Sequence, residues 1–170
     1  MPTTTVLNDI DSYRQHFDTM FVGGIPRLLN DDGAFLSFVA VVTATDALAG
    51  LFAPSKGSGE RFRLFVETFF PEDHRALAAD IWQLRNSLIH SFNPGPFALT
   101  QHCSRQHLQA PLGIVTLNAE DFYAALLIAA RAYFDALVRE PALQAAFKLR
   151  VQATDGGAPE TSVVVQHPRQ

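Results

Sequence analysis

Hydrophobic positions recur every three to four residues along most of this chain, and one stretch, 97–117, departs from that period. Ile10, Tyr13, Phe17, Met20 and Phe21 share one face of a helix over 9–29. Gly23-Gly24 and Pro26 are expected to bend or split it, because glycine loosens the backbone and proline removes an amide donor. Asp31 or Asp32 is placed to cap a second helix over 32–52, which is apolar nearly all round and therefore central. Its apolar run from Phe35 to Phe52 is broken by Ser37, Thr43, Thr45 and Asp46, so it reads as a buried core helix and not as a membrane span. Gly50 and the stretch Pro54-Ser55-Lys56-Gly57-Ser58-Gly59 end it in a loop. A short helix over 60–70 carries Phe62, Phe65, Val66 and Phe69 on one side. Pro71 opens the next helix, with Glu72 and Asp73 at its positive end, and that helix runs to about Ser91.

Asn93-Pro94-Gly95-Pro96 stops the helical pattern. Residues 97–102 and 112–117 then read as two short strands joined by a polar loop, a β-hairpin. Asn118 is placed to cap a long helix that starts at Ala119-Glu120-Asp121 and ends near Arg139. Pro141 starts a final helix to about Val151. The fold class is all-α: a bundle of five to six helices with one small β-hairpin inserted before the penultimate helix. Residues 1–153 make a single domain, and 154–170 form a polar tail in which Thr161 to Gln166 is a candidate edge strand.

Composition narrows the function. With 48% hydrophobic and 18% charged residues, the 170-residue chain can bury a substantial core. A net charge of −4 with only two lysines argues against broad adhesion to long nucleic acid or anionic membrane, while leaving room for a local Arg/His site. The N-terminus lacks a basic region followed by an apolar run, and one cysteine, Cys103, excludes an internal disulfide; both suit the cytoplasm.

The richest chemical grouping is Leu84-Arg85-Asn86-Ser87-Leu88-Ile89-His90, just before the Pro-Gly-Pro break. Eleven Arg and six His give about 0.4 chance occurrences of Arg-x4-His in a chain this long, so context carries the weight. On a helical wheel Arg85 falls about 40° from Ile81, inside the apolar arc of Leu77, Ile81, Leu84, Leu88 and Phe92. A guanidinium there needs a partner, and Asp46 is the only charged residue between Asp32 and Lys56. An Asp46–Arg85 pair is therefore expected. Asn86 and His90 share the opposite face at i, i+4 spacing, with His90 in the last turn where the helix dipole favours its cation. The bland reading of the same residues is an ion pair, a solvated amide and a helix-terminal histidine.

His102-Cys103-x3-His107 offers metal-ligand types but no second pair at defined spacing, so no metal or other cofactor is expected. One of these histidines would support the Arg85/His90 site if the hairpin folded back over it.

This arrangement resembles the HEPN superfamily, whose hallmark is Arg, a polar residue and then His at the end of a helix in a small bundle: here Arg85, Asn86 and His90. Segments such as Thr45-Asp46-Ala47-Leu48-Ala49-Gly50, Glu60-Arg61-Phe62 and Leu117-Asn118-Ala119-Glu120-Asp121 are similar to a bacterial group of HEPN-like proteins, over roughly residues 40–138. The resemblance implies a homodimer with two Arg/His elements at its interface. It also implies either a metal-independent endoribonuclease, commonly a toxin with an antitoxin-like partner, or a dimeric module that binds nucleotides, RNA or protein without cleaving. In the first case His90 would be general acid or base, Arg85 would stabilise phosphoryl charge, and Asn86 would hold a phosphate oxygen or orient His90. Products would carry a 2′,3′-cyclic phosphate and a 5′-hydroxyl.

Overall fold

The computed structural model describes residues 4–30 and 32–153. The tail and its candidate strand at Thr161 to Gln166 lie outside the described residues, as does Asp31. The helices are α1 (Thr4–Phe17), α2 (Ala34–Phe52), α3 (Ser58–Phe69), α4 (Glu72–Arg75), α5 (Ala78–Ser91), α6 (Ala119–Arg139) and α7 (Pro141–Ala153). Strands β1 (Phe97–Thr100) and β2 (Val115–Asn118) lie between α5 and α6. The molecule is a helical bundle with a small two-stranded insertion.

The pattern-breaking residues act where expected, with local differences. The α1 pattern passes into a wide π turn, Asp18–Val22, and then a 3-10 turn, Ile25–Leu28. A Cβ at Gly24 would lie 2.3 Å from the Met20 carbonyl oxygen, so the turn between them requires glycine. Gly33, not an aspartate, occupies the cap position of α2, and no side-chain cap bond forms there. The helix expected over 71–91 is two: Pro71 caps the single turn α4, and the chain re-starts at Leu77 as α5.

Helix α2 is long and apolar enough to cross a bilayer by composition alone, and in this structure it packs against α3, α5, α6 and α7. Its hydroxyls cost little there. Ser37, Thr43 and Thr45 donate to the backbone carbonyls of Ala34, Val39 and Val41. The core is aromatic. The fully buried Phe65 ring meets Phe52, Phe69, Phe70 and Tyr133 with centroids 5.1–6.4 Å apart. Tyr133 is equally buried, and among the described residues its hydroxyl has no hydrogen-bond partner; desolvation pushes its pKa up. Tyr133→Phe removes a desolvated, unsatisfied hydroxyl while keeping the ring. It is expected to leave stability unchanged or raise it by about 1 kcal/mol in urea unfolding.

The strands do not form the expected hairpin. They pair in parallel, from Phe97↔Val115 to Thr100↔Asn118. Residues 101–114 carry the chain back to the starting end before β2 begins, and a connection of roughly a dozen residues is what parallel pairing needs. The antiparallel return exists, but against another segment. Leu108 N–H donates to the Thr116 carbonyl at 2.7 Å, and Thr116 N–H donates to the Gln109 carbonyl at 2.8 Å. So β2 is bonded on both edges, by β1 and by residues 108–109.

Candidate functional site

The expected Asp46–Arg85 pair is present. Arg85 Nη2 donates to Asp46 Oδ2 at 2.8 Å, joining α5 to the middle of α2, with both side chains about four-fifths buried (20% and 19% exposed). Arg85 Nη1 donates to Asn86 Oδ1 at 3.2 Å, and the guanidinium carbon lies 5.3 Å from the Trp82 ring centroid. The fork is thus fixed on three sides. The positive charge faces a carboxylate, an amide oxygen and the electron-rich face of an indole. Arg85 Nε and Asp46 Oδ1 are buried without a partner among the described residues. The pair is therefore charge-matched but incompletely hydrogen-bonded.

Removing one member of such a pair leaves the other charge stranded. Asp46→Ala is expected to cost about 2–3 kcal/mol in urea unfolding, below the cost for a fully buried pair because a fifth of each side chain still meets water. Asp46→Asn, which keeps an acceptor oxygen beside the guanidinium, should cost less.

His90 stands apart. It is exposed in the last turn of α5, and Asn86, one turn earlier on the same face, is half-buried. Arg85 and His90 are five positions apart, which places them about 140° apart around the helix. The helix ends at Phe92, held in the left-handed conformation (φ 52°) with 80% of its surface exposed. Gly95 follows at φ 57°, where a Cβ would press on Ser87 at 3.0 Å. The Pro-Gly-Pro stop thus folds tightly under the last turn of α5, and Ile89, His90 and Phe92 are exposed there.

The other two histidines expected to support this site are engaged elsewhere. His102 Nδ1 lies 2.6 Å from Glu120 Oε1 in the first turn of α6. His107 Nε2 lies 3.2 Å from Nε2 of His74, and its Nδ1 accepts the Asn118 backbone N–H at 3.1 Å. His74 was not among the residues singled out from sequence. It is 97% buried, beside Phe70 and Phe122, and its Nδ1 sits 2.7 Å from Asp73 Oδ1. A signal was there. His74, Ala78, Ile81, Arg85 and Leu88 follow one 4-3-4-3 stripe, so the periodicity that places Arg85 on the apolar face places His74 there too.

The hydrogen bonds fix the protons on this chain of groups. His107 Nδ1 accepts, so neutral His107 carries its proton on Nε2 and donates it to His74 Nε2. His74 must then carry its own proton on Nδ1, donated to Asp73. Burial depresses the pKa of His107 first, and the neighbouring His74 depresses it further, against smaller upward pulls from Asp121 and Asp73. The Nε2 separation would suit one tetrahedral metal ion. However, a metal-bound His107 would need a proton on Nδ1, where Asn118 N–H already points. Among the described residues no three His, Cys, Asp or Glu side chains gather as a metal site.

Asn118 does begin α6, by a different device from the expected cap. Its side chain makes no bond to the first-turn amides; Oδ1 accepts the Cys103 N–H, and Nδ2 donates to Asp121.

No family model, curated protein or solved structure matches this chain.

Proposed function

We propose that the protein is a HEPN-like homodimer acting as a metal-independent endoribonuclease, at a composite site built from the α5 ends of two copies. The observation that carries the reading is the Asp46–Arg85 pair, with Asn86 and Trp82 on the same fork. An arginine fixed in this way meets a phosphate without first losing rotamer freedom. A single chain presents its arginine and histidine on different sides of α5. A second copy supplies the missing histidine, and exposed Ile89 and Phe92 flank His90 as surface for that copy to cover.

In this chemistry the ribose 2′-oxygen attacks phosphorus and the bond to the 5′-oxygen breaks. The His90 of the second copy takes the 2′-hydroxyl proton and returns it to the leaving 5′-oxygen. Arg85 and Asn86 hold the phosphoryl oxygens as charge builds. The ends are a 2′,3′-cyclic phosphate and a 5′-hydroxyl.

One observation favours a second reading, a dimeric nucleotide-binding or protein-interaction module without cleavage: Asp46 already neutralises the Arg85 charge. A mixed RNA pool incubated in EDTA with wild type and His90→Ala, with ends mapped, separates the two. Cyclic-phosphate ends from wild type alone support the nuclease. Intact RNA with both proteins, each folded and dimeric, favours the module.

A further inference from the structure

The histidine chain beneath the strand pair lies outside the proposed nuclease site and has its own chemical logic. Residues 102–108 form a short excursion around a 3-10 turn, Ser104–Gln106. Each end is a non-glycine residue in the left-handed region, His102 at φ 55° and Leu108 at φ 59°. Such conformations cost of order 1 kcal/mol apiece and persist where surrounding contacts enforce them. The enforcing contacts here include two histidines. At one end His102 meets Glu120 through its ring and also through its backbone N–H, which lies 3.1 Å from both carboxylate oxygens. At the other end His107 is bonded between His74 and the Asn118 amide, and Leu108 packs on the core.

We propose that Asp73, His74, His107 and the Asn118 amide form a proton-sensitive latch that holds residues 103–109 on the bundle and releases them when His107 is protonated. The argument is geometric. The chain has one proton per junction: Asn118 N–H to His107 Nδ1, His107 Nε2–H to His74 Nε2, and His74 Nδ1–H to Asp73. An added proton on either imidazole finds no free acceptor within it. On His107 it must sit at Nδ1, where it opposes the Asn118 N–H; on His74 it must sit at Nε2, where it opposes the His107 N–H. Either way one bond breaks, and the ring must turn or leave. The charged and titratable groups facing His107 are His74 and Asp73 from α4 and Asp121 from α6. The two carboxylates pull toward protonation and are outweighed by burial and by His74.

The ends of the segment respond differently. Protonation of His102 keeps its contact with Glu120, because the carboxylate accepts from either charge state. Protonation of His107 breaks the latch. Acidification therefore frees the 107–109 end while the 102 end stays attached, and β2 loses the strand-like cover of residues 108–109. The direction follows from linkage. With His107 depressed in the folded protein, the unfolded chain binds more protons below the ordinary value of 6.5. The stabilisation is complete above 6.5 and is lost as pH falls through the lowered folded pKa.

The test is proton-nitrogen NMR of the histidine rings in the full-length wild-type protein, with amide exchange followed from pH 7.5 downward. At pH 7.5 the expected tautomers are Nδ1–H for His74, the minority form of free histidine, and Nε2–H for His107. As pH falls from about 6.5 toward the lowered His107 titration, protection of the Leu108 and Asn118 amides should fall by up to tenfold per pH unit and then level off, while Leu126 in α6 keeps its protection. His107→Asn keeps an acceptor near Asn118 N–H but does not titrate, so the pH step should vanish. The latch is overturned by the opposite tautomers at pH 7.5, by loss of protection at Leu126 together with Leu108, or by an unchanged step in a folded His107→Asn protein. The tautomer result stands on wild type alone, should that variant not fold.

Discussion

On the proposed chemistry, His90→Ala cleaves RNA about 10²–10⁴-fold more slowly than wild type, the range for removing a general acid or base. The fold should be untouched. His90 is exposed in the last turn of α5 and has no described contact to lose, so circular dichroism and thermal unfolding should superimpose on wild type. That separation makes the experiment informative, because a loss of activity cannot then be ascribed to unfolding. Arg85→Lys sharpens it. Lysine keeps the charge opposite Asp46 but not the planar fork that engages Asp46 and Asn86 together over Trp82. A fall in kcat comparable to that of His90→Ala would support Arg85 acting on the phosphoryl group. Full activity with Arg85→Lys would reduce Arg85 to a structural ion pair. The composite site makes one further demand: mixing Arg85→Lys with His90→Ala chains should restore part of the activity in heterodimers.

Phe65→Ala is expected to be the most destabilising of these changes, by about 3–5 kcal/mol in urea unfolding, enough to unfold a marginally stable domain. Phe65 is fully buried, and its ring is central to a cluster with Phe52, Phe69, Phe70 and Tyr133 that ties α2, α3 and α6 together. Truncation removes the transfer energy of the ring and leaves a cavity whose walls belong to three helices, so no single segment collapses to fill it. Phe65→Leu retains much of the volume and should cost clearly less. Equal costs for alanine and leucine would show that ring geometry, not filled volume, holds the cluster.

The Asp46–Arg85 bond and the His74 chain differ in how they could be read. Arg85 announced its need for a partner because a guanidinium stays charged at any working pH and cannot be left alone in an apolar stripe. One carboxylate in the facing apolar helix then completed the inference. His74 lies on the same stripe but made no such demand, since an imidazole can be buried neutral. Its partner His107 is 33 positions away, beyond α5 and β1, and no local pattern points to it. His102 and His107 were both visible as a short motif. Five positions apart on a strained excursion, they turn in different directions, one to Glu120 and one to His74.

Sequence alone determined the helices, their apolar faces, the stop after α5 and the charge pairing of Arg85. Each of these depends on local periodicity, on the rigidity of proline and glycine, or on the cost of burying an unpaired charge. Tertiary structure alone decided the split between α4 and α5, the parallel pairing of β1 and β2, the departure of His102 and His107 from the α5 end, and the buried histidine chain. Those outcomes rest on the path of residues 101–114 and on which neutral polar groups find each other across the bundle. Such choices are made among contacts distant in sequence, where periodicity carries no information.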